Sequence, residues 1–387
     1  MTLPPVASLA VPARDRLPAL DGLRGLAILA VLLHHLFVYD PVGAIGARVA
    51  TLAEFAGHGV DLFFALSGFL IARQLADHHG TPGFARRFWL RRIAKIAPLY
   101  LAVNLVVFAL LKPLLTATGH TEKLRWLLAH EGAWPWYVTF ASNVRNALDA
   151  RFTNPALDVA WSLAVEVQFY VLAFLIARRV APARWPRLAL AAIALALVFR
   201  GACVATGAGW VPILVLTPGR LDAFACGVLA TMAPAWLARC PRWLGWGVLA
   251  LAIVTPWSRA TPFVELAGYT LVALAAGLVL ERATRPAPAA PMGWLAHPAL
   301  VLLGRISYSI YLSHLPLRAL LRDKLLPAQR VLATPADWCA QIVFWLGAGG
   351  TCVAVGWLTW KFFEEPARLA VLRVLQPRPA AGPRPPT

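Results

Sequence analysis

The feature that most constrains this chain is an apolar stretch at residues 20–35, LDGLRGLAILAVLLHH, which carries an acid, an arginine and two histidines. Ionisable side chains are costly inside a membrane-spanning helix, so those that occur there are functional candidates. At 100° per residue, Arg24 and His35 lie about 20° apart on one helix face and roughly 16 Å apart along the axis. His34 lies about 80° off that face. Asp21 precedes Arg24 by one turn, and an i,i+3 ion pair between them would reduce the cost of burying either charge.

The composition extends this reading to the whole chain. Of 387 residues, 59% are hydrophobic and 14% are charged, and the mean hydropathy is +0.65. These values exclude an ordinary soluble enzyme and indicate an all-α polytopic membrane protein. The net charge of +18 fits a lipid bilayer and an anionic substrate, and no polar domain gathers the basic residues as a nucleic-acid partner would require. The five cysteines lack metal-ligand spacing, so we predict no metal site.

Hydropathy predicts about ten transmembrane helices. They are expected at 17–39, 57–76, 94–111, 159–177, 187–206, 211–233, 243–257, 262–281, 298–317 and 339–362. We expect residues 1–15 to be a disordered cytoplasmic leader, residues 16–368 to form one membrane domain, and the Pro-rich residues 369–387 to be a disordered tail.

The distribution of Lys and Arg predicts the orientation of these spans. Ten spans place both termini on one side, and the leader, tail and connections on that side carry most of the basic residues. Arg200 is counted with the cations of the opposite side. The positive-inside rule therefore places both termini in the cytoplasm and the protein in the cytoplasmic membrane, as a multi-pass protein.

With this topology, the polar residues of the spans fall at two depths. The outer level holds two histidines and two acids: His35, Asp61, Glu166 and His314. The first three are close enough in depth to meet. The inner level faces the cytoplasm and is cationic: Arg24, Arg91, Arg92, Lys95 and Arg305.

These two levels suit transfer of an acyl group from acyl coenzyme A. Arginine gives bidentate, charge-assisted bonds to phosphate, so the inner level would hold the phosphates of the donor. A histidine at the outer level would act as general base on an acceptor hydroxyl or take the acyl group itself. A carboxylate from Glu166 or Asp61 beside that imidazole would fix its tautomer.

Each of these residues also has a structural interpretation. Histidines near helix ends often pack as polar residues, and the inner cations are also what the positive-inside rule requires. Asp61 would cap its helix and Ser67 would serve close helix packing. His35 and Asp40 have the H-x4-D spacing of another acyltransferase class, but lie about 140° apart on a helix. A transporter or flippase for an anionic glycan or lipid-linked sugar is the alternative function, because it also uses charges across several spans.

Seven sequence blocks together resemble the acyltransferase family 3 of integral-membrane acyltransferases. In order, they are LDGLRGLAILAVLLHH, GVDLFFALSGFLI, RRIAKIAPLY, WSLAVEVQFY, GRLDAFACGVLA, LGRISYSIYLSH and FFEEPAR. The resemblance covers about residues 16–368 and identifies the membrane domain as an acyltransferase domain.

The resemblance implies roles for individual residues. The family's R-x10-H element falls on Arg24 and His35, which implies that His35 is the essential histidine. Its R-x-x-R element falls on Arg92 and Lys95, so lysine stands at the second position and keeps the charge without the bidentate geometry. The family's glutamate falls on Glu166, and Val167 replaces a usual acidic residue after it.

The activity implied is transfer of an acyl group, commonly acetyl, from cytoplasmic acyl coenzyme A to a hydroxyl of a carbohydrate or glycosylated acceptor at or across the membrane. Such O-acetylation modifies carbohydrates of the cell envelope. We assign catalysis to His35, Glu166 and Asp61. The remaining assignments are donor binding by Arg24, Arg92, Lys95 and Arg305, and substrate binding by Tyr170 and His314.

Overall fold

The computed structural model describes residues 17–117, 119, 131–152, 154–241, 243, 247–248, 251, 261–285, 292–325 and 331–375. The predicted leader, most of the predicted span 243–257, and residues 376–387 of the predicted tail lie outside this part of the chain. Within it, regular secondary structure is helical apart from one pair of two-residue parallel strands, in which Asp40 pairs with Val331.

The helices and strands follow one another with few long connections. The first half of the chain forms α1 (Pro18–His35), β1 (Asp40–Pro41), α2 (Gly43–Ala56), α3 (Gly59–Asp77), α4 (Phe84–Leu105), α5 (Leu111–Ala117), α6 (Trp134–Val138), α7 (Ser142–Leu148) and α8 (Ala160–Ala177). The second half forms α9 (Trp185–Thr206), α10 (Trp210–Val215), α11 (Leu221–Met232), α12 (Pro234–Ala238), α13 (Tyr269–Ala283), α14 (Pro298–Leu325), β2 (Val331–Leu332), α15 (Pro335–Thr359) and α16 (Glu365–Leu375). Turns of π-helix at Val106–Leu110 and Trp360–Glu364 join α4 to α5 and α15 to α16.

Six helical stretches of the described chain are long and apolar enough to cross a membrane. They are Gly43–Asp77, Phe84–Leu110, Ala160–Ala177, Pro182–Thr206, Val264–Ala283 and Pro335–Leu375. The protein is therefore an all-α, multi-pass membrane protein. Helices α1 and α14 coincide with predicted spans but are not among the six, because charged and histidine side chains lower the mean hydropathy of both.

Three segments differ from their predicted form. The predicted span 211–233 is interrupted, because a 3-10 turn at Thr217–Arg220 that contains Pro218 separates α10 from α11. Helix α2 occupies residues expected to be a connection, and α16 continues to Leu375, beyond the predicted end of the membrane domain at residue 368.

Close backbone contacts fix α1 against α14. A Cβ atom at Gly304 would overlap the carbonyl oxygen of Asp21, and one at Gly22 would overlap that of Leu295. Small residues permit this approach, as is common between helices in membranes. The contact sets the height of Arg24 and His35 relative to the polar residues of α14.

Candidate active site

Two neighbouring cavities contain most of the residues assigned from the sequence. The cationic cavity is lined by Arg24, Ser67, Arg92, Lys95, Glu166 and Tyr170, among others. The histidine cavity is lined by His34, His35, His58, Asp61, Asp158 and Arg220, among others. Val60 and Tyr311 line both, and the Tyr311 hydroxyl lies 2.6 Å from the Ser162 hydroxyl. Tyr311 is therefore part of the boundary between the two cavities.

Three cations and one carboxylate give the cationic cavity its charge. Arg24 donates from Nη1 to Asp21 at 3.2 Å, which confirms the predicted i,i+3 ion pair. Arg92 donates to the side chain of Gln74, and its guanidinium lies 5.3 Å from the centre of the Tyr170 ring. Stacking on an aromatic ring holds a guanidinium in place while leaving its edge available. The cavity thus has the cationic lining that phosphate binding requires.

The structure corrects the predicted position of Glu166. Its carboxylate accepts hydrogen bonds from Ser67 and Tyr170 and lies in the cationic cavity, away from the histidine cavity that holds His35 and Asp61. The physical reason is depth along α3, since Ser67 follows Asp61 by six residues, or about 9 Å of helix. Ser67 has a cavity position and a polar partner, whereas the sequence favoured a packing role.

His35 and His314 do come together, as predicted from their common depth. Nε2 of His314 lies 3.3 Å from Nδ1 of His35, and the ring centres are 4.9 Å apart. His35 lines the histidine cavity, whereas His314 is fully buried behind it. His34 turns away, with Nδ1 2.9 Å from the carbonyl oxygen of Ala53 on α2. The predicted choice of His35 over His34 agrees with this geometry.

Asp61 joins two residues that the sequence reasoning did not assign to the site. One carboxylate oxygen lies 2.7 Å from Nδ1 of His58, and the other pairs with Arg220. Arg220 also lies over the Tyr269 ring, 4.1 Å from its centre. The position of His58 one turn before Asp61 is a signal that the sequence did contain. Arg220 comes from a distant part of the chain, and no local spacing pointed to it.

Arg305 stands apart from the other predicted donor-binding cations. Its side chain is exposed on α14, and it is not part of the lining of either cavity. A role for Arg305 in donor binding stays a prediction.

Arg220 should be important for stability because Asp61 is buried with it. We expect Arg220→Ala to lower the free energy of unfolding by about 3–5 kcal/mol, since it leaves a buried carboxylate without its cation. The measurement is thermal unfolding of the purified protein in detergent. Arg145→Ala is the matched control, because the Arg145–Asp149 pair at 2.7 Å is partly exposed and contributes about 0–1 kcal/mol. Equal shifts for the two variants would contradict the assignment.

A family model described as an acyltransferase domain matches residues 17–361. The chain belongs to this acyltransferase family. The match extends from the start of α1 into the π-helical turn after α15, so it includes both cavities. The protein is accordingly a membrane acyltransferase, an enzyme in which α1, α3, α4, α8 and α14 surround the candidate site.

Several curated relatives have names consistent with this family. The acyltransferase MdmB of Streptomyces mycarofaciens is 28% identical over 326 residues, covering 77% of this chain and 78% of the relative. The putative peptidoglycan O-acetyltransferase YrhL of Bacillus subtilis is 26% identical over 395 residues, covering 91% of this chain and 55% of the relative. The putative O-acetyltransferase SACOL0978 of Staphylococcus aureus is 28% identical over 161 residues, covering 40% of this chain and 24% of the relative. The chain thus spans about half or less of the last two relatives, and no solved structure matches it.

Proposed function

We propose that this acyltransferase moves an acyl group, most simply acetyl, from acyl coenzyme A to a hydroxyl group of a carbohydrate or glycosylated acceptor. The observation that carries the proposal is the adjacency of a cationic cavity and a histidine-lined cavity that share Val60 and Tyr311. This arrangement supports an anionic donor on one side and an acceptor beside an imidazole on the other.

The cationic cavity would bind the phosphates of the donor through Arg24, Arg92 and Lys95. Charge-assisted bonds to phosphate are among the stronger polar contacts in proteins. The thioester end would then extend past Val60 and Tyr311 towards His35. In this proposal Glu166 supports the donor side through Ser67 and Tyr170, which replaces the contact with His35 expected from the sequence.

His35 would act as general base on the acceptor hydroxyl or as the carrier of the acyl group. As base, its imidazole takes the hydroxyl proton while the hydroxyl oxygen bonds to the thioester carbonyl carbon. The carbon–sulfur bond then breaks, and the sulfur leaves as a thiolate that receives the proton back from the imidazolium. Asp61, bound to His58 and Arg220, supplies fixed negative charge in the same cavity.

The orientation is part of the same proposal. We infer that α1 and α14 also cross the bilayer and that about ten spans leave both termini in the cytoplasm of the cell, with the protein in the cytoplasmic membrane. In support, α1 packs on α14 and α3, and α14 packs on α15, so both helices lie inside the group of apolar spans. The cationic cavity then receives acyl coenzyme A from the cytoplasm. The names of the O-acetyltransferase relatives favour an acceptor in the cell envelope.

The decisive experiment measures thioester consumption by the purified protein in detergent, where no transport is possible. We expect free coenzyme A to appear from acetyl coenzyme A, and its rate to rise when a hydroxyl-bearing sugar acceptor is added. A transporter or flippase would consume no thioester under these conditions. Protein that is folded but releases no coenzyme A with any sugar or glycoside tried would contradict the proposal. In sealed vesicles, donor supplied on the cytoplasmic face alone should be consumed.

A further inference from the structure

His314 lies behind His35, on the side away from the histidine cavity. It is fully buried, and its Nε2 is 3.3 Å from Nδ1 of His35. A fully buried ring is poorly placed for the substrate contact that the sequence assigned to it. Its one ring nitrogen that points at another titratable side chain points at the proposed catalytic imidazole.

Backbone carbonyl groups determine which nitrogen of His314 carries its hydrogen. Nδ1 lies 2.8 Å from the carbonyl oxygen of Tyr311 and 3.2 Å from that of Ile310. A carbonyl oxygen only accepts hydrogen bonds, so Nδ1 must be the donor. In the neutral ring, Nε2 of His314 then has the lone pair and acts as an acceptor towards His35.

The same reasoning passes from His314 to His35. Nδ1 of His35 faces two acceptors, the Val31 carbonyl oxygen at 3.1 Å and Nε2 of His314 at 3.3 Å. Nδ1 of His35 must therefore carry the hydrogen and share it between them. The neutral His35 ring then has its lone pair on Nε2. Either proposed role of His35, as base or as acyl carrier, uses that lone pair.

We propose that His314 is a positioning residue for His35: it holds the His35 imidazole in the Nδ1–H tautomer and so keeps Nε2 as the reacting atom. The inference rests on the proposed function of His35. It also assigns to a neutral imidazole the part that the sequence gave to Glu166 or Asp61. Those carboxylates bond instead to Ser67 and Tyr170, and to His58 and Arg220.

The step leaves atoms and charges balanced. Nε2 of His35 accepts the hydroxyl proton as the new carbon–oxygen bond forms, and returns it to the thiolate after the carbon–sulfur bond breaks. While His35 is an imidazolium, its Nδ1–H bond to Nε2 of His314 is charge-assisted and therefore stronger. His314 thus acts on the charged form more than on the neutral form, without touching the substrate.

The test compares two substitutions of His314 in the full-length protein purified in detergent. We expect His314→Leu to lower kcat for acetyl transfer by about 10²-fold, the cost of a misplaced catalytic group, with an unchanged KM for acetyl coenzyme A. His314→Gln should recover about tenfold or more of that loss, because its side-chain oxygen restores an acceptor near His35. His78→Leu is the matched control with wild-type activity, since His78 makes a similar bond to the Gln74 carbonyl oxygen outside both cavities.

A spectroscopic measurement reads the tautomer directly. In protein labelled with ¹⁵N-histidine, the His35 signal of the wild type should report the neutral Nδ1–H form, and His314→Leu should give a mixture of tautomers. If His314→Leu does not fold, His314→Asn replaces it, because asparagine is polar but too short to reach His35.

Three results would overturn the inference: wild-type kcat in His314→Leu, equal damage in His314→Leu and His314→Gln, or an unchanged His35 tautomer. Failure of the proposed function looks different. An active His35→Ala variant would remove the role of His35 itself, whereas an inactive His35→Ala beside a normal His314→Leu would remove only the role of His314.

Discussion

His35→Ala should lower the rate of acetyl transfer by about 10²–10⁴-fold, the range expected when a general base is removed. The physical reason is that no other imidazole takes the position of His35. His314 is buried behind it, His34 bonds to the Ala53 carbonyl oxygen, and His58 is held by Asp61. If His35 carries the acyl group instead, the loss should be at least as large, because no intermediate can form. The measurement is free coenzyme A released per protein, at equal amounts of folded protein.

The matched comparison for His35→Ala is His34→Ala. Both variants remove one imidazole from the same helix turn, so both should affect the packing of α1 to a similar degree. We expect His34→Ala to lose less than about tenfold in rate, since its ring is turned towards α2. Normal amounts of folded His35→Ala with undiminished transfer would eliminate the assignment. Equal losses in the two variants would show that the effect comes from packing of α1.

The sequence predicted the features that depend on one helix alone. Helical periodicity gave the rotational position of His35 relative to His34, and the i,i+3 spacing gave the Arg24–Asp21 ion pair. Hydropathy predicted an all-α membrane protein, because the spans are long apolar segments. These properties are local, so they need no knowledge of neighbouring helices.

Relative depth between helices was less predictable. Glu166 was placed with His35 because each lies near one end of its own predicted span, but periodicity says nothing about the offset of one helix against another. The offset of α1 is set by backbone contacts, as at Gly304 against Asp21, and the depth of Glu166 by its partner Ser67 on α3. Such contacts join residues far apart in the chain.

Buried ion pairs between distant segments were missed for the same reason. Arg200 was counted among cations outside the membrane, but it is fully buried and bonds to Asp222 at 2.8 Å. Arg220 likewise finds Asp61 from a distant position in the chain. A charge near the end of a predicted span is expected at the surface, unless a partner from another helix compensates for its burial.

The second large effect is expected in the cationic cavity. Arg92→Ala combined with Lys95→Ala should raise the KM for acetyl coenzyme A by about 10²-fold or more, since each hydrogen bond to a charged group contributes about 1.5–3 kcal/mol. The expected change in kcat at saturating donor is smaller, because neither residue lies in the histidine cavity. The measurement is initial rate against donor concentration.

Arg86→Ala is the control for this double variant. Arg86 is an exposed cation on the same helix α4, bonds to the Leu375 carbonyl oxygen, and is not part of the lining of the cationic cavity. Its removal changes the net charge of the protein without changing that lining, so the KM for the donor should stay within about twofold of the wild type. An increase as large as that of the double variant would attribute the effect to the general basicity of the surface.

Lys95→Arg separates charge from geometry at the second position of the cation pair. Arginine keeps the charge and adds a planar donor pair that lysine lacks. If the phosphates of the donor contact this position, we expect the KM for acetyl coenzyme A to fall or to remain unchanged, and Lys95→Gln to raise it by about tenfold. The dependence of KM on salt should also be steeper in the wild type than in the double variant, because fewer charges then contribute to binding. An unchanged KM in both Lys95→Gln and the double variant would mean that the donor phosphates bind elsewhere, and the cationic cavity would then need another ligand.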